Sequence, residues 1–238
     1  MLDDQLTTET LGILLDAAAA APGVRPRQPW RLEVNGHLID AYLDGSAIRP
    51  ATDPLGRANR IVTGAAIFNL RCAAASRSFG SWVSLCPYPH DPDLAARIVV
   101  EPTGLPDHEL EQLYGAILSR CLPRTRSAPD ETVRRALERA AAIENTNLGW
   151  LPVSFALLAL LSTDRDEPAD QIAAGIALQR VLLTATRCDI DASYLPQPLS
   201  RDELRHCAQE LTGKAGFAQA LIRLGRDTRL GLIRTDLR

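Results

Sequence analysis
Nine residues of the chain, "PGVRPRQPW" at positions 22–30, put two guanidinium groups, Arg25 and Arg27, into a loop stiffened by three prolines. Proline fixes its own φ and donates no backbone hydrogen bond, so such a loop presents its cations in a narrow set of directions. Guanidinium binds phosphate and stacks on rings. The stretch is therefore either a rigid helix-to-strand connection or a surface for something anionic and aromatic. Arg120, Arg124 and Arg126 form a second basic stretch, and Arg229 and Arg234 lie near the C-terminal end. The first of these is read as a solvated loop, with a phosphate or nicotinamide contact as the alternative, and the second as either a tail or a phosphate clamp.

Self-sufficient reaction chemistry is missing. There is no G-x-G-x-x-G, no Walker loop, no G-x-S-x-G elbow and no H-E-x-x-H. His37, His90, His108 and His206 stand in unrelated contexts, and His206 and Cys207, as helix neighbours, point about 100° apart. No metal site is expected. An enzyme built on this sequence needs a cofactor to carry the reaction.

The elements that position these residues can be read from pattern. Thr7 caps a helix through "LGILLDAAAAA", and Pro22-Gly23 stops it. Residues 31–44 form a hairpin around Asn35-Gly36. Ile61, Ala65, Phe68, Cys72 and Ala75 mark a helical stripe with Gly80 as its end signal. "SWVSLCPYP" and "ARIVVEP" read as strands, and Leu110, Leu113, Tyr114 and Ile117 as a helix. Ser127 to Asp130 fit an S-x-x-D cap before "ETVRRALERAAAIE". "VSFALLALLST" suits a strand covered on both faces. "PADQIAAGIALQRVLLTATRC" suits a central helix, with Ile172, Ile176 and Leu183 in core or interface and Gly175 allowing close helix packing. "IDASYL" is a strand, Ser200 and Glu203 open a further capped helix, and "FAQALIRLG" is the last strand. This mixture predicts an α+β, three-layer α/β/α fold with a mixed, mostly antiparallel central sheet flanked by helices. No repeat of fixed short period is evident, and residues 1–238 read as one domain with a flexible basic arm over 226–238.

Hydrophobic residues make up 46% and charged residues 23% of 238, enough for a sizeable core. A net charge of −3 leaves no global attraction to nucleic acid or an acidic membrane. The five scattered cysteines imply free thiols, and with no leader-like start and no spanning stretch the expected location is the cytoplasm.

Several segments, in order, resemble a known family. "AAPGVRPRQPWRLEV" is similar to the P-S-x-x-N-x-Q-P-W segment of the FMN-dependent nitroreductase superfamily. "RPATDPLGRANRIVTGAAIFNLRCAAA", "QIAAGIALQRVLLTATRCDIDASYLPQPL" and "FAQALIRLG" resemble its Acg-type, actinobacterial branch. The resemblance implies an FMN-dependent oxidoreductase that passes hydride from NAD(P)H to a small electron-poor acceptor or natural-product substrate. It implies two related halves within Acg-type chains, where typical members instead share their flavin sites between two subunits. The expected partner is a second identical chain or a nitroreductase-like paralogue. By the same resemblance the flavin contacts are Gly23, Arg25, Arg27, Gln28, Tyr194, Leu195, Pro196, Gln197, Arg229 and Arg234. Gly23 and Pro26 replace the family's serine and asparagine, so Arg25 and Arg27 must supply donors that those residues no longer provide. The alternative is a degenerate member that stores flavin or supports a catalytic paralogue without turning over.

Overall fold
The computed structural model describes residues 6–22, 28–47, 53, 56–102, 107–120, 128–151, 157–195 and 216–225. The elements are α1 (Thr8–Ala19), β1 (Trp30–Asn35), β2 (Leu38–Leu43), a short 3₁₀ turn (Gly45–Ala47), α2 (Arg57–Ser76), β3 (Phe79–Leu85), β4 (Leu94–Pro102), α3 (His108–Ser119), α4 (Glu131–Ile143), β5 (Asn147–Leu151), β6 (Leu157–Thr163), α5 (Pro168–Arg187), β7 (Ala192–Leu195) and β8 (Phe217–Leu224).

Local chemistry explains most of the boundaries. Thr7 Oγ1 accepts from Thr10 N–H at 3.1 Å and opens α1. Asp130 caps α4, its carboxylate accepting from Val133 N–H at 2.8 Å; Ser127 lies outside the described residues. Asp170 returns a bond to Glu167 N–H at 2.9 Å and fixes the start of α5. Gly36 takes φ +61° in the two-residue turn of the β1–β2 hairpin, as Asn35-Gly36 predicts. Gly80 does not end α2. The helix stops at Ser76, Ser78 takes the left-handed conformation, and Gly80 pairs inside β3. The expected helix from Ser200 lies outside the described residues.

The fold is α+β, as expected. Among the described residues the strands form two four-stranded sheets, in the orders β1-β2-β4-β3 and β5-β6-β8-β7, where the sequence reading placed them in one. Every described strand pair is antiparallel, so the expected mixed character is absent from them. α2 packs on the first sheet and α5 on the second, and these two long helices pack on each other between the halves.

The same helix–hairpin–helix–two-strand unit thus occurs twice, at a period too long for the short-repeat reading of the sequence. The two central helices run side by side with a constant offset. Arg60 bonds Gln171, a separation of 111. At the same spacing Gly64 faces Gly175. Ala58/Ala169, Ile61/Ile172, Ala66/Ala177 and Ala74/Ala185 recur with that offset too. A Cβ on Gly64 would overlap the Ile172 carbonyl, and one on Gly175 would overlap the Ile61 carbonyl, so the backbones touch there. Each sheet also carries a bulge at the matching place: Ala95 is the extra residue opposite Ala41/Tyr42, and Gln219 opposite Leu161/Ser162.

The halves exchange core residues. Ile172, Ile176 and Leu183 of α5 join the apolar cluster of the first half, while Ile61 of α2 joins that of the second. β6 is buried from Ala159 to Thr163, as its unbroken apolar run predicts. Cys72, Cys86 and Cys188 are free thiols; Cys121 and Cys207 lie outside the described residues.

Candidate functional site
Of the ten expected contacts, Gln28, Tyr194 and Leu195 fall within the described residues. Gly23, Arg25, Arg27, Pro196, Gln197, Arg229 and Arg234 lie outside them. Gln28 is exposed, and its carboxamide reaches the carbonyl of Ala19 in the last turn of α1 at 3.5 Å, a long contact. That bond ties the returning chain to the helix it left. Trp30 begins β1 and packs against the first core, as expected of a core residue.

Tyr194 and Leu195 pair with Ile222 and Leu221 across β7–β8. The Tyr194 phenol makes no hydrogen bond among the described residues. Burial pushes it well above the usual 10.0; nearby Arg57 pulls it down in part, and Asp53 adds to the rise. Arg57, in the first turn of α2, and Asp53 just before it are thus the described charges that act on Tyr194. The end of α1, next to Gln28, is instead held by Asn69, three turns further along α2, about 18 Å at helical rise. The described neighbours of Gln28 and of Tyr194 are thus different ones.

Arg57 is the hub at the first turn of α2. One guanidinium nitrogen donates to both Asp166 carboxylate oxygens at 2.9 and 3.0 Å. The other donates to the Ala218 carbonyl and to Gln219 Oε1, each at 2.5 Å. Gln219 Nε2 in turn donates to Thr163 Oγ1 at 2.7 Å and to Asp166 at 3.0 Å. The bulge explains why this glutamine points inward: the extra residue in β8 is released from the ladder and turns to the helix end. The matching bulge residue of the first sheet, Ala95, carries no polar group. The duplicated frame is therefore furnished unequally.

A second polar cluster lies further along the seam. Arg180, 3% exposed, donates through Nε to Glu144 at 2.8 Å and through Nη1 to Glu109 at 2.9 Å, with its guanidinium 5.1 Å from the Phe68 ring centroid. Arg71 reaches the same Glu144 carboxylate at 3.4 Å. Asn69 and Gln179, both 0% exposed, bond each other between the helices at 2.7 Å.

None of these residues stands out by motif. Their common mark is a polar side chain set in an otherwise apolar helix, as in "AAIFNLRCAAA" and "AGIALQRVLL". Among the described residues no three His, Cys, Asp or Glu converge as metal ligands. What the described residues offer is binding: a protonated phenol near Arg57, whose charge is paired with Asp166, and a hydrogen-bonded frame joining the two halves. An O–H donor and guanidinium N–H groups are chemically able to meet a ring system edged with carbonyl and imine acceptors.

No known family profile matches the chain. Its similarity in sequence lies among NAD(P)H nitroreductases, the relationship implied by the ordered motifs. The relative is "Putative NAD(P)H nitroreductase acg" of Mycobacterium tuberculosis, in strains CDC 1551 and H37Rv alike. Identity is 31% over 102 residues, covering 43% of this chain and 31% of the relative. The match thus spans less than a third of the relative's length. A solved structure from Thermotoga maritima, described as "a putative nitroreductase", overlays 88% of this chain and 92% of its own at 13% identity. Its TM-score is 0.37, too loose for a fold assignment to rest on. The α+β assignment rests on this chain's own elements. No helix among the described residues is long and apolar enough to cross a membrane.

Proposed function
We propose that the chain is an FMN-dependent oxidoreductase of the nitroreductase kind, moving hydride from NAD(P)H to a small electron-poor acceptor or natural-product substrate. The observation that carries this reading is the 31% identity over 102 residues to the NAD(P)H nitroreductase relative. The structure supports it through a duplicated frame whose two halves share their core helices within one chain.

When bound, FMN supplies the two-electron relay between donor and acceptor. The protein's part is to bind and orient. Arg25, Arg27, Arg229 and Arg234 would meet phosphate and ring edge with guanidinium, and Gly23 with a backbone N–H. Tyr194, with its hydroxyl protonated well beyond neutral pH, would offer an O–H donor near the segment that continues through Pro196 and Gln197. Arg57 and Asp166 hold that strand pair against α2 and so act on position, not on chemistry.

The purified protein is expected to be yellow, to release FMN on denaturation and to bleach under NADPH without oxygen. A colourless protein that takes up no added FMN overturns the proposal. Arg27→Ala is expected to weaken FMN about two- to tenfold, the scale of one lost donor; unchanged affinity removes Arg27 from the site. Gly23 and Pro26, which lack the family's polar side chains, favour the storage reading instead. Retained flavin that NADPH cannot bleach is its signature. Pairing with an identical chain or a nitroreductase-like paralogue in the cytoplasm belongs to the same proposal, and light scattering on the purified protein reads the first.

A further inference from the structure
Asn69 and Gln179 stand in the middle of the α2–α5 seam with no exposure to solvent. A pair of carboxamides is a costly filling for such a seam, because each of its polar atoms must find a partner away from water. Here they do. Gln179 Nε2 donates to Asn69 Oδ1 at 2.7 Å, and Arg120 Nη1 donates to Gln179 Oε1 at 3.2 Å. Asn69 Nδ2 spends its bond on one backbone atom, the carbonyl oxygen of Ala17, at 2.8 Å.

That carbonyl lies in the last turn of α1, where the chain leaves toward Gly23, Arg25 and Arg27. The same turn is tied at Ala19 by Gln28, where the chain returns. The departure of the loop is thus gripped from inside by α2, and α2 is braced by a residue of α5 from the other half. Two leucines would fill the seam without hydrogen-bonding needs, but they would leave the turn ungripped.

From this juxtaposition we infer that Asn69 and Gln179 are positioning residues, a buried relay through which the second half sets where the arginine loop of the first half begins. The inference rests on the flavin reading for its consequence in binding, and on the hydrogen bonds alone for its consequence in motion.

The test uses the full chain and the double variant Asn69→Leu/Gln179→Leu. Each single variant strands a buried partner and is expected to lose stability, whereas the double variant removes both carboxamides, takes from Arg120 its Gln179 acceptor, and should regain part of the loss. Two readouts then separate a positioning role from a merely structural one. Titration with free FMN is expected to show affinity about three- to tenfold weaker in the double variant, at a urea midpoint above those of the single variants. Hydrogen exchange is expected to speed up at the amides of Ala18 to Ala21 relative to the remaining helices. A double variant with native FMN affinity and native exchange overturns the inference. If the parent chain takes up no FMN, the flavin reading fails by itself, and exchange alone decides: unchanged exchange overturns the relay, faster exchange upholds it. Gln179→Met, a milder change at the same pair, gives both readouts if the double variant does not fold.

Discussion
At the scale of single residues, the side chains that matter are those whose surroundings leave them no alternative partner. Arg180 has its charge buried and its donors committed to Glu144 and Glu109. Removing one member of such a set leaves an uncompensated charge in low dielectric, so Arg180→Ala is expected to cost about 3 kcal/mol, read from the urea midpoint. Cys72 makes a different prediction. Burial pushes its thiol well above the ordinary 9.0. Above that pH the unfolded chain has lost the proton while the folded chain keeps it, so the unfolded state binds fewer protons and stability falls as pH rises. Stability is therefore expected to fall as pH rises above about 9, and Cys72→Ala should make that fall shallower, read from urea midpoints across the range. The same thiol should resist alkylation at pH 8 until the chain unfolds.

At the scale of elements, the α2–α5 contact brings two helix backbones together. Each helix offers a glycine to the backbone of the other, at Gly64 and Gly175. A methyl group at Gly175 has nowhere to go but into the Ile61 carbonyl, and backbone cannot yield as a flexible side chain can. Gly175→Ala is therefore expected to destabilise by about 2 kcal/mol or more, despite the better helix propensity of alanine, and Gly64→Ala likewise. Chemical denaturation reads both. A stabilising effect at either position would mean that the helices are not in backbone contact.

At the scale of the whole molecule, the two halves share cores as well as a border. The α5 stripe Ile172, Ile176 and Leu183 completes the first cluster, Ile61 completes the second, and Arg57 crosses from one half to the β8 bulge of the other. Neither half buries its apolar surface alone. Residues 1–127 expressed as a fragment are expected to remain unfolded, and the full chain to unfold in one cooperative transition. Two resolved transitions by calorimetry would show that the halves are separate domains.

Much of this was legible in the amino acids. Thr7, the Asn35-Gly36 turn, the apolar β6 run and the crossing glycine Gly175 each announce local structure, because capping, turn geometry and burial on both faces act over a few neighbours. The family resemblance was legible for the same reason, as ordered short motifs. Tertiary structure alone decided that the described strands divide into two sheets, that α2 and α5 lie in register 111 residues apart, and that Gln219, Asn69 and Gln179 turn inward to bond across the seam. Strand partners and buried polar pairs are chosen by groups far apart in the chain. A lone Asn or Gln in an apolar helix shows only that some partner exists, and the packed fold decides which.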